Sequence, residues 1–407
     1  MPSPKTASRE RVRDLSPSCH EPGDAPRDEP TEDVITVAGA GPAGLVCAIV
    51  LARSGRKVVV REWHKTVGAR FHGDFQGLEN WSDERDIVEE LEGFGVRIDF
   101  DCHPVFSGLA FDAWGESYPV GSARPLYYLV HRGNRPGSLD QALYRQAQEA
   151  GVEVRLGDRV RRTTGPTILA TGPRTADAIA VGYVFETDMA DGNWICFNSS
   201  LAPLGYSYLL VHGGRGTVAS CMFADFKREK DCVARTIEFF RERTGLRMRD
   251  PRPFGGFANF RLSRRAVQGG HPVIGEQAGF QDALAGFGLR YAIRSGVLAA
   301  RSVIEGVDYC RLWRRELLPQ LRVGLSNRLI FGLVGERGRR WALAYGLRGP
   351  DTGVRLRRLY QPSLLTRLVF PLARLRYRAP LRDPSCHHAD CTCVWCRCEK
   401  KVSDTFF

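Results

Sequence analysis

No part of this chain stays apolar for long without interruption. The longest uncharged apolar stretch, Val34 to Ala52, has the length of a membrane span, but Gly39, Gly41, Pro42 and Gly44 fall inside it, where a tight turn would break a spanning helix. It reads instead as strand, turn and helix. Residues 1-32 mix Pro, Arg, Asp and Glu and lack an apolar segment, so we expect no export signal and a disordered N-terminal segment there. A disulfide framework is also missing: Cys19, Cys47, Cys102, Cys196, Cys221, Cys232 and Cys310 are scattered singly, and a reducing, cytoplasmic compartment is the expectation. We find no internal repeat and no second glycine loop of the kind that holds a nicotinamide dinucleotide.

Acidic residues are absent between Arg355 and Arg378, where seven arginines interleave with leucines. The whole chain, 407 residues with 43% hydrophobic content and a formal charge of +12, can bury a large core and suggests two or three structural units. Charge alone does not choose between nucleic acid, an anionic membrane and an anionic substrate. Its distribution favours the membrane surface, with peripheral association on the inner face and no nucleic-acid partner expected.

Asp33 to Ala38 is β-branched and bounded by glycine, as a buried parallel strand should be, and Ala43 to Ser54 reads as a helix stopped by Gly55. Between them Gly39 permits the turn, Gly41 lets backbone N–H groups approach a pyrophosphate, and Gly44 allows close helix–strand packing, with Pro42 and Ala43 opening the helix. The helix N-terminus then faces the phosphates. Lys57 to Glu62 reads as the second strand, and Glu62 stands where a ribose-binding acid is expected. Strand, loop, helix, strand and acid in this order predict a dinucleotide site, either FAD or NAD.

Two later segments choose between them. Thr167 to Pro173, with Gly172 at its turn, looks like the short strand that returns to the dinucleotide in flavoproteins. Val273 to Leu289, followed by Ala292 and Ser295-Gly296, resembles the second FAD motif of the geranylgeranyl reductase family, a branch of the flavoproteins that also includes aromatic hydroxylases and lycopene cyclases. The resemblance runs loosely from residue 33 to about residue 320. It implies a fold in which a discontinuous Rossmann-type FAD-binding domain (33-175 and 266-305) carries an inserted mixed-sheet substrate domain (176-265), followed by a helical basic region (306-380). It implies that Gly275 and Glu276 approach the ribityl chain and pyrophosphate, and that Gly286, Phe287 and Gly288 lie against the flavin ring. Glu276 departs from the usual Asp, and Ala283 and Phe287 from the usual Pro and Glu. Arg132, before a helix opening at Ser138 with capping-box spacing to Gln141, is a candidate cofactor contact, as is Arg70.

Strands are expected at Trp194 to Phe197, Gly205 to Val211 and Gly216 to Ala219, with a hairpin turn at Gly213-Gly214. The Gly-Tyr-Ser-Tyr stretch resembles the aromatic strand lining the substrate cavity in geranylgeranyl reductases. Tyr206 and Tyr208 would share one strand face, and Tyr206 is the candidate proton donor. At the other end, Cys386, Cys391, Cys393, Cys396 and Cys398, in a Cys-rich tail spanning 384-398, include a C-x-x-C pair. They are candidate ligands for zinc or an iron–sulfur cluster.

The function this implies is an FAD-dependent oxidoreductase that reduces carbon–carbon double bonds of a prenyl or other apolar small molecule, with NAD(P)H or a donor protein supplying electrons. The alternatives are a flavin monooxygenase, or a protein that uses FAD without net redox as lycopene cyclases do.

Overall fold

The structure, a computed structural model, describes residues 34–163, 165–173, 176–346 and 351–377. The β-branched run after Val34 forms β1 (Ile35–Ala38), and α1 (Pro42–Arg53) follows after a three-residue loop. Strands β1, β2 (Val58–Glu62), β8 (Glu153–Leu156) and β9 (Thr167–Leu169) form a parallel sheet in the order β8-β2-β1-β9. A parallel bridge from Leu169 to Val273 brings the second motif back to this sheet. Helix α1 is buried almost all round, because it is wedged between the sheet, α3 (Leu139–Glu149) and α5 (Leu289–Glu305).

Glycine sets the depth of that wedge. A Cβ on Gly44 would lie 2.1 Å from the Gly39 carbonyl oxygen, and one on Gly296 of α5 would lie 2.3 Å from the Ala43 carbonyl oxygen. Neither position admits a side chain without moving a helix. The first turn of α1 is thereby held against the middle of α5.

The second layer is a seven-stranded mixed sheet, β14-β10-β13-β12-β11-β5-β6, built from β5 (Ser107–Phe111), β6 (Ser117–Gly121), β10 (Ala178–Glu186), β11 (Gly192–Cys196), β12 (Tyr206–His212), β13 (Arg215–Met222) and β14 (Arg249–Ala258). It is larger than the expected segment 176-265, since β5 pairs in parallel with β11 and brings β6 with it. No periodicity in the sequence signals so distant a pairing. The expected hairpin is present: Gly213 and Gly214 both have positive φ, 57° and 75°, the conformation that joins two twisted strands in two residues. Along β12 burial alternates strictly. Leu209 and Val211 enter a core with Phe240 of α4 (Glu229–Thr244), while Tyr206, Tyr208 and Leu210 face a cavity on the other side.

A three-stranded sheet of β3 (Phe75–Glu79), β4 (Cys102–Val105) and β7 (Tyr127–His131) completes the frame. Below it α2 (Ile87–Gly93) is fastened to α5 by Glu90, whose carboxylate takes Arg290 at 2.7 Å and also Arg294. Arg290 is 1% exposed, so this ion pair is buried and each partner depends on the other. After α5 come α6 (Tyr309–Glu316), α7 (Leu318–Leu333), α8 (Gly335–Gly346), α9 (Thr352–Leu359) and α10 (Leu364–Arg376), the helical region expected from the sequence. No helix among the described residues is long and apolar enough to cross a membrane. Cys47, Cys102, Cys196, Cys221 and Cys232 are free thiols, whereas Cys310 is disulfide-bonded, against the expectation that it stands alone.

Candidate functional site

One cavity of about 2680 Å³ runs from the Gly39 loop, past the 284–289 segment, to the helices of the C-terminal region. Ordinary small-molecule pockets hold roughly 300–1,000 Å³, so a dinucleotide and a second, apolar molecule fit in it together. Its first section is made of backbone. Gly39 has a φ of 114°, and a Cβ there would strike the Ala170 carbonyl, whereas a Cβ on Gly41 would meet no atom within 4 Å. Gly41 is the N-cap of α1 and Gly288 that of α5, and neither helix has a side-chain cap. Two helix ends with unsatisfied N–H groups therefore border one cavity, an arrangement that favours negative charge.

Glu62 closes this section from the end of β2. Its carboxylate accepts the backbone N–H of Ala40 at 2.8 Å and that of His64 at 2.9 Å. The His64 ring Nδ1 also lies 2.8 Å from the oxygen that accepts the His64 N–H, so these bonds fix the carboxylate at the cavity wall and leave acceptor capacity on the Ala40-bound oxygen for a ribose hydroxyl. Gly172, with a φ of 84°, lines the same cavity from the turn after β9.

Arg70 and Glu276, 206 residues apart, meet in an ion pair at 2.6 Å. The Arg70 guanidinium also donates to the Phe257 carbonyl, lies 5.2 Å from the Phe257 ring centroid and keeps its buried Nε without an acceptor. Gly275, whose φ is 62°, sets the turn in front of Glu276.

Arg132 borders the same cavity, but its guanidinium is committed. It is 4% exposed, forms two bonds of 2.8 and 2.9 Å to Asp140 and one of 2.8 Å to Gln76, and lies 3.9 Å over the ring of Phe71. It fastens the loop that carries Arg70. Ser138 caps α3 by accepting the Gln141 N–H, but the Gln141 side chain donates to the Val67 carbonyl at 3.0 Å, so the capping box that the spacing predicts is only half formed.

The middle section is aromatic. Phe287 packs its ring over Gly77, where a Cβ would lie 2.4 Å from Cε1, and stands edge-on to Trp81 at 4.8 Å. Gly286 has a φ of 77°, and Gln281 donates to its carbonyl at 2.6 Å. Ala283 turns the other way: it is buried with Leu325 and Ala373 beneath the helices, so its position beside the flavin, implied by the resemblance, is corrected to a helix contact. The reason is steric, since only a small residue fits between this loop and α7.

Tyr206 and Tyr208 share the cavity face of β12, their rings 6.1 Å apart, and Phe197 lies 6.2 Å from Tyr206. Burial pushes both phenols well above their usual range, so they stay protonated. The Tyr206 hydroxyl donates to the Ala285 carbonyl. Its proton is thus already engaged in holding the 281–288 loop, which argues against a free proton donor at this position.

The chain as a whole is similar to known proteins. Residues 37–76 match the model of the NAD(P)-binding Rossmann-like domain. A menaquinone reductase from Mycolicibacterium smegmatis is 25% identical over 348 residues, covering 72% of this chain and 82% of its own length. Among solved structures, a geranylgeranyl bacteriochlorophyll reductase-like protein from Thermoplasma acidophilum superposes with a TM-score of 0.64 at 17% identity, covering 84% of this chain and 95% of its own. A p-nitrophenol 4-monooxygenase from Pseudomonas putida gives a TM-score of 0.55 at 14% identity, covering 85% and 99%. The chain has the fold of the FAD-dependent oxidoreductases and resembles those of the geranylgeranyl reductase type.

Within this flavoprotein fold the sequence reading missed one pair. Tyr360, just after α9, borders the cavity and donates its hydroxyl at 2.7 Å to Oδ2 of Asp282, which lies behind it. Asp282 also accepts the backbone N–H groups of Leu284 and Ala285. Burial raises its carboxyl to about 6, against these hydrogen bonds and with a contribution from Glu79. Asp282 stood inside the quoted motif, but nothing local points to Tyr360. The candidate metal ligands Cys386, Cys391, Cys393, Cys396 and Cys398 lie outside the described residues. Among the described residues no group of three or more His, Cys, Asp or Glu could hold a metal ion.

Proposed function

We propose that this protein binds FAD along the first two sections of the cavity and reduces a carbon–carbon double bond of an elongated apolar substrate held in the third. The observation that carries the reading is the continuity of one cavity from the glycine loop to an apolar chamber lined by Tyr208, Phe197 and Phe331. The name of the mycobacterial relative makes a prenylated quinone the first substrate to try.

The backbone N–H groups of Gly41 and Ala43 and of the α5 N-terminus would receive the pyrophosphate and the electron-rich end of the ring, and Glu62 the ribose. When bound, FAD supplies the two-electron chemistry, with electrons drawn from NAD(P)H or a donor protein. The residues of this chain do the rest. Phe287, Trp81 and Tyr127 form a wall against which the reacting groups are positioned. Tyr206 holds the 281–288 loop, and the aromatic lining excludes water. Tyr360 would give its hydroxyl proton to the cavity, and Asp282, protonated below about pH 6, would turn their hydrogen bond round and return a proton to the Tyr360 oxygen.

The same fold also serves the p-nitrophenol 4-monooxygenase, so the test must separate reduction from oxygenation. The protein is loaded with FAD, reduced with dithionite under anaerobic conditions and mixed with a prenylated quinone. Flavin reoxidation is expected, with a product that is still richer by two hydrogens, in its prenyl chain, after air has reoxidised the quinol ring. Reoxidation only after oxygen is admitted, with a product richer by one oxygen, would replace reduction by hydroxylation.

A further inference from the structure

The far end of the cavity opens where the surface of the molecule changes character. Most of the large apolar side chains exposed among the described residues lie between Leu333 and Leu375. On α10 they are Leu364, Leu365, Leu368, Leu372 and Leu375, each at least 60% exposed. At 100° per residue these five fall within one face of the helix, with Arg367 and Arg374 along one edge and Arg376 along the other. The opposite face is used: Thr366 and Ala373 are buried, and the Ser326 hydroxyl of α7 donates to the Thr366 carbonyl at 3.0 Å.

The surrounding surface continues the pattern. Trp341 of α8 is 65% exposed and also lines the cavity, as do Leu359 and Leu365. From Thr352 to Tyr377 there are arginines at 355, 357, 358, 367, 374 and 376 and no acidic residue. An apolar face of this extent on a soluble monomer marks a contact surface. Its arginine rim selects the partner. A protein groove would have to supply a matching acidic border, whereas an anionic bilayer supplies apolar depth and negative headgroups at once. The thirteen residues of α10 extend roughly 20 Å, too short to cross a bilayer but suited to lie in its plane.

We infer that α8, α9 and α10 form a docking face for an anionic lipid bilayer, laid flat on the headgroups so that the cavity mouth beside Trp341 and Leu365 opens into the acyl layer. The substrate then enters by lateral passage from the membrane without crossing water. This rests on the surface and not on the reaction proposed above.

Vesicle co-sedimentation of the full-length, FAD-loaded protein tests it, with phosphatidylcholine vesicles compared with vesicles containing phosphatidylglycerol. Binding to the anionic vesicles is expected to be at least about tenfold stronger and to weaken with salt. The combined change Leu364→Ser, Leu368→Ser and Leu372→Ser should abolish it with the melting temperature unchanged. Arg367→Gln with Arg374→Gln should weaken it by about tenfold and leave zwitterionic binding unaltered. Brominated lipids should quench tryptophan fluorescence in the wild type and markedly less in Trp341→Phe. Failure of the wild type to sediment with anionic vesicles would overturn the inference, as would unchanged binding by the triple serine variant. A salt-resistant oligomer that the triple variant dissolves, without vesicle binding, would reassign the face to a second copy of the chain. Vesicle binding is read without turnover, so it can fail while flavin reduction of an alkene succeeds, and the reverse.

Discussion

At the nucleotide end of the cavity the walls are backbone, and at the helical end they are side chains. Around Gly39, Gly44, Gly275 and Gly296 the tolerances are tenths of an ångström: a Cβ on Gly44 or Gly296 collides with a carbonyl oxygen of the neighbouring segment. Around α8 to α10 the lining is leucine, tyrosine and tryptophan, much of it open to solvent. A ligand of fixed shape and charge, such as a dinucleotide, suits the first construction. A flexible apolar chain needs only volume and dryness, which the second provides. Rigidity and adaptability are thus separated along one cavity, and the 281–288 loop is where they meet.

Removing the clamp beneath the nucleotide end should have the largest effect. Glu90→Ala leaves the buried Arg290 without its carboxylate and is expected to destabilise the protein by about 3–5 kcal/mol, measured by urea denaturation. A loss below about 1 kcal/mol would mean that water reaches this pair. Next, Gly44→Val forces α1 away from the Gly39 carbonyl at a cost of about 1–3 kcal/mol. Purification without bound flavin is the expected result, and normal flavin content would break the contrast drawn between the two ends.

Tyr360→Phe probes the junction, and its effect should depend on pH. The folded-state carboxyl of Asp282 titrates at about 6, above its ordinary 3.8. Its contribution to stability is complete below the ordinary value and is lost as pH rises through about 6. The Tyr360 hydroxyl bonds the ionised form best. Its removal should therefore cost about 1.5–3 kcal/mol at pH 8, where the acceptor is a carboxylate, and about 0.5–1.5 kcal/mol at pH 5. Equal costs at both pH values would show that Asp282 does not titrate in this window. Smallest of all, Leu368→Ser on the open face of α10 should change stability by less than about 0.5 kcal/mol, although the same leucine at the nucleotide end would not be replaceable so cheaply.

The first half of the site was legible because it is local. Gly39, Gly41, Gly44 and Glu62 sit within one strand–helix–strand unit whose spacing obeys fixed geometry, and each stands where that geometry places it. The second motif was legible as a pattern, yet the direction of every side chain in it was not: Ala283 faces the helices. Arg132, expected as a cofactor contact, borders the cavity, and its bidentate partner Asp140, eight residues on, makes it a fastening. Tyr206 lines the cavity as expected, with its hydroxyl turned to the Ala285 carbonyl.

The sequence by itself determined the dinucleotide loop, the hairpin at Gly213-Gly214 and the basic, leucine-rich end, because each follows from backbone conformations or side-chain periods within a few residues. Tertiary structure decided the rest. It joined Arg70 to Glu276, Tyr360 to Asp282 and β5 to β11 across 206, 78 and more than eighty residues. Those contacts form only when packing has already brought distant segments together, and no local spacing encodes which donor will then find which acceptor.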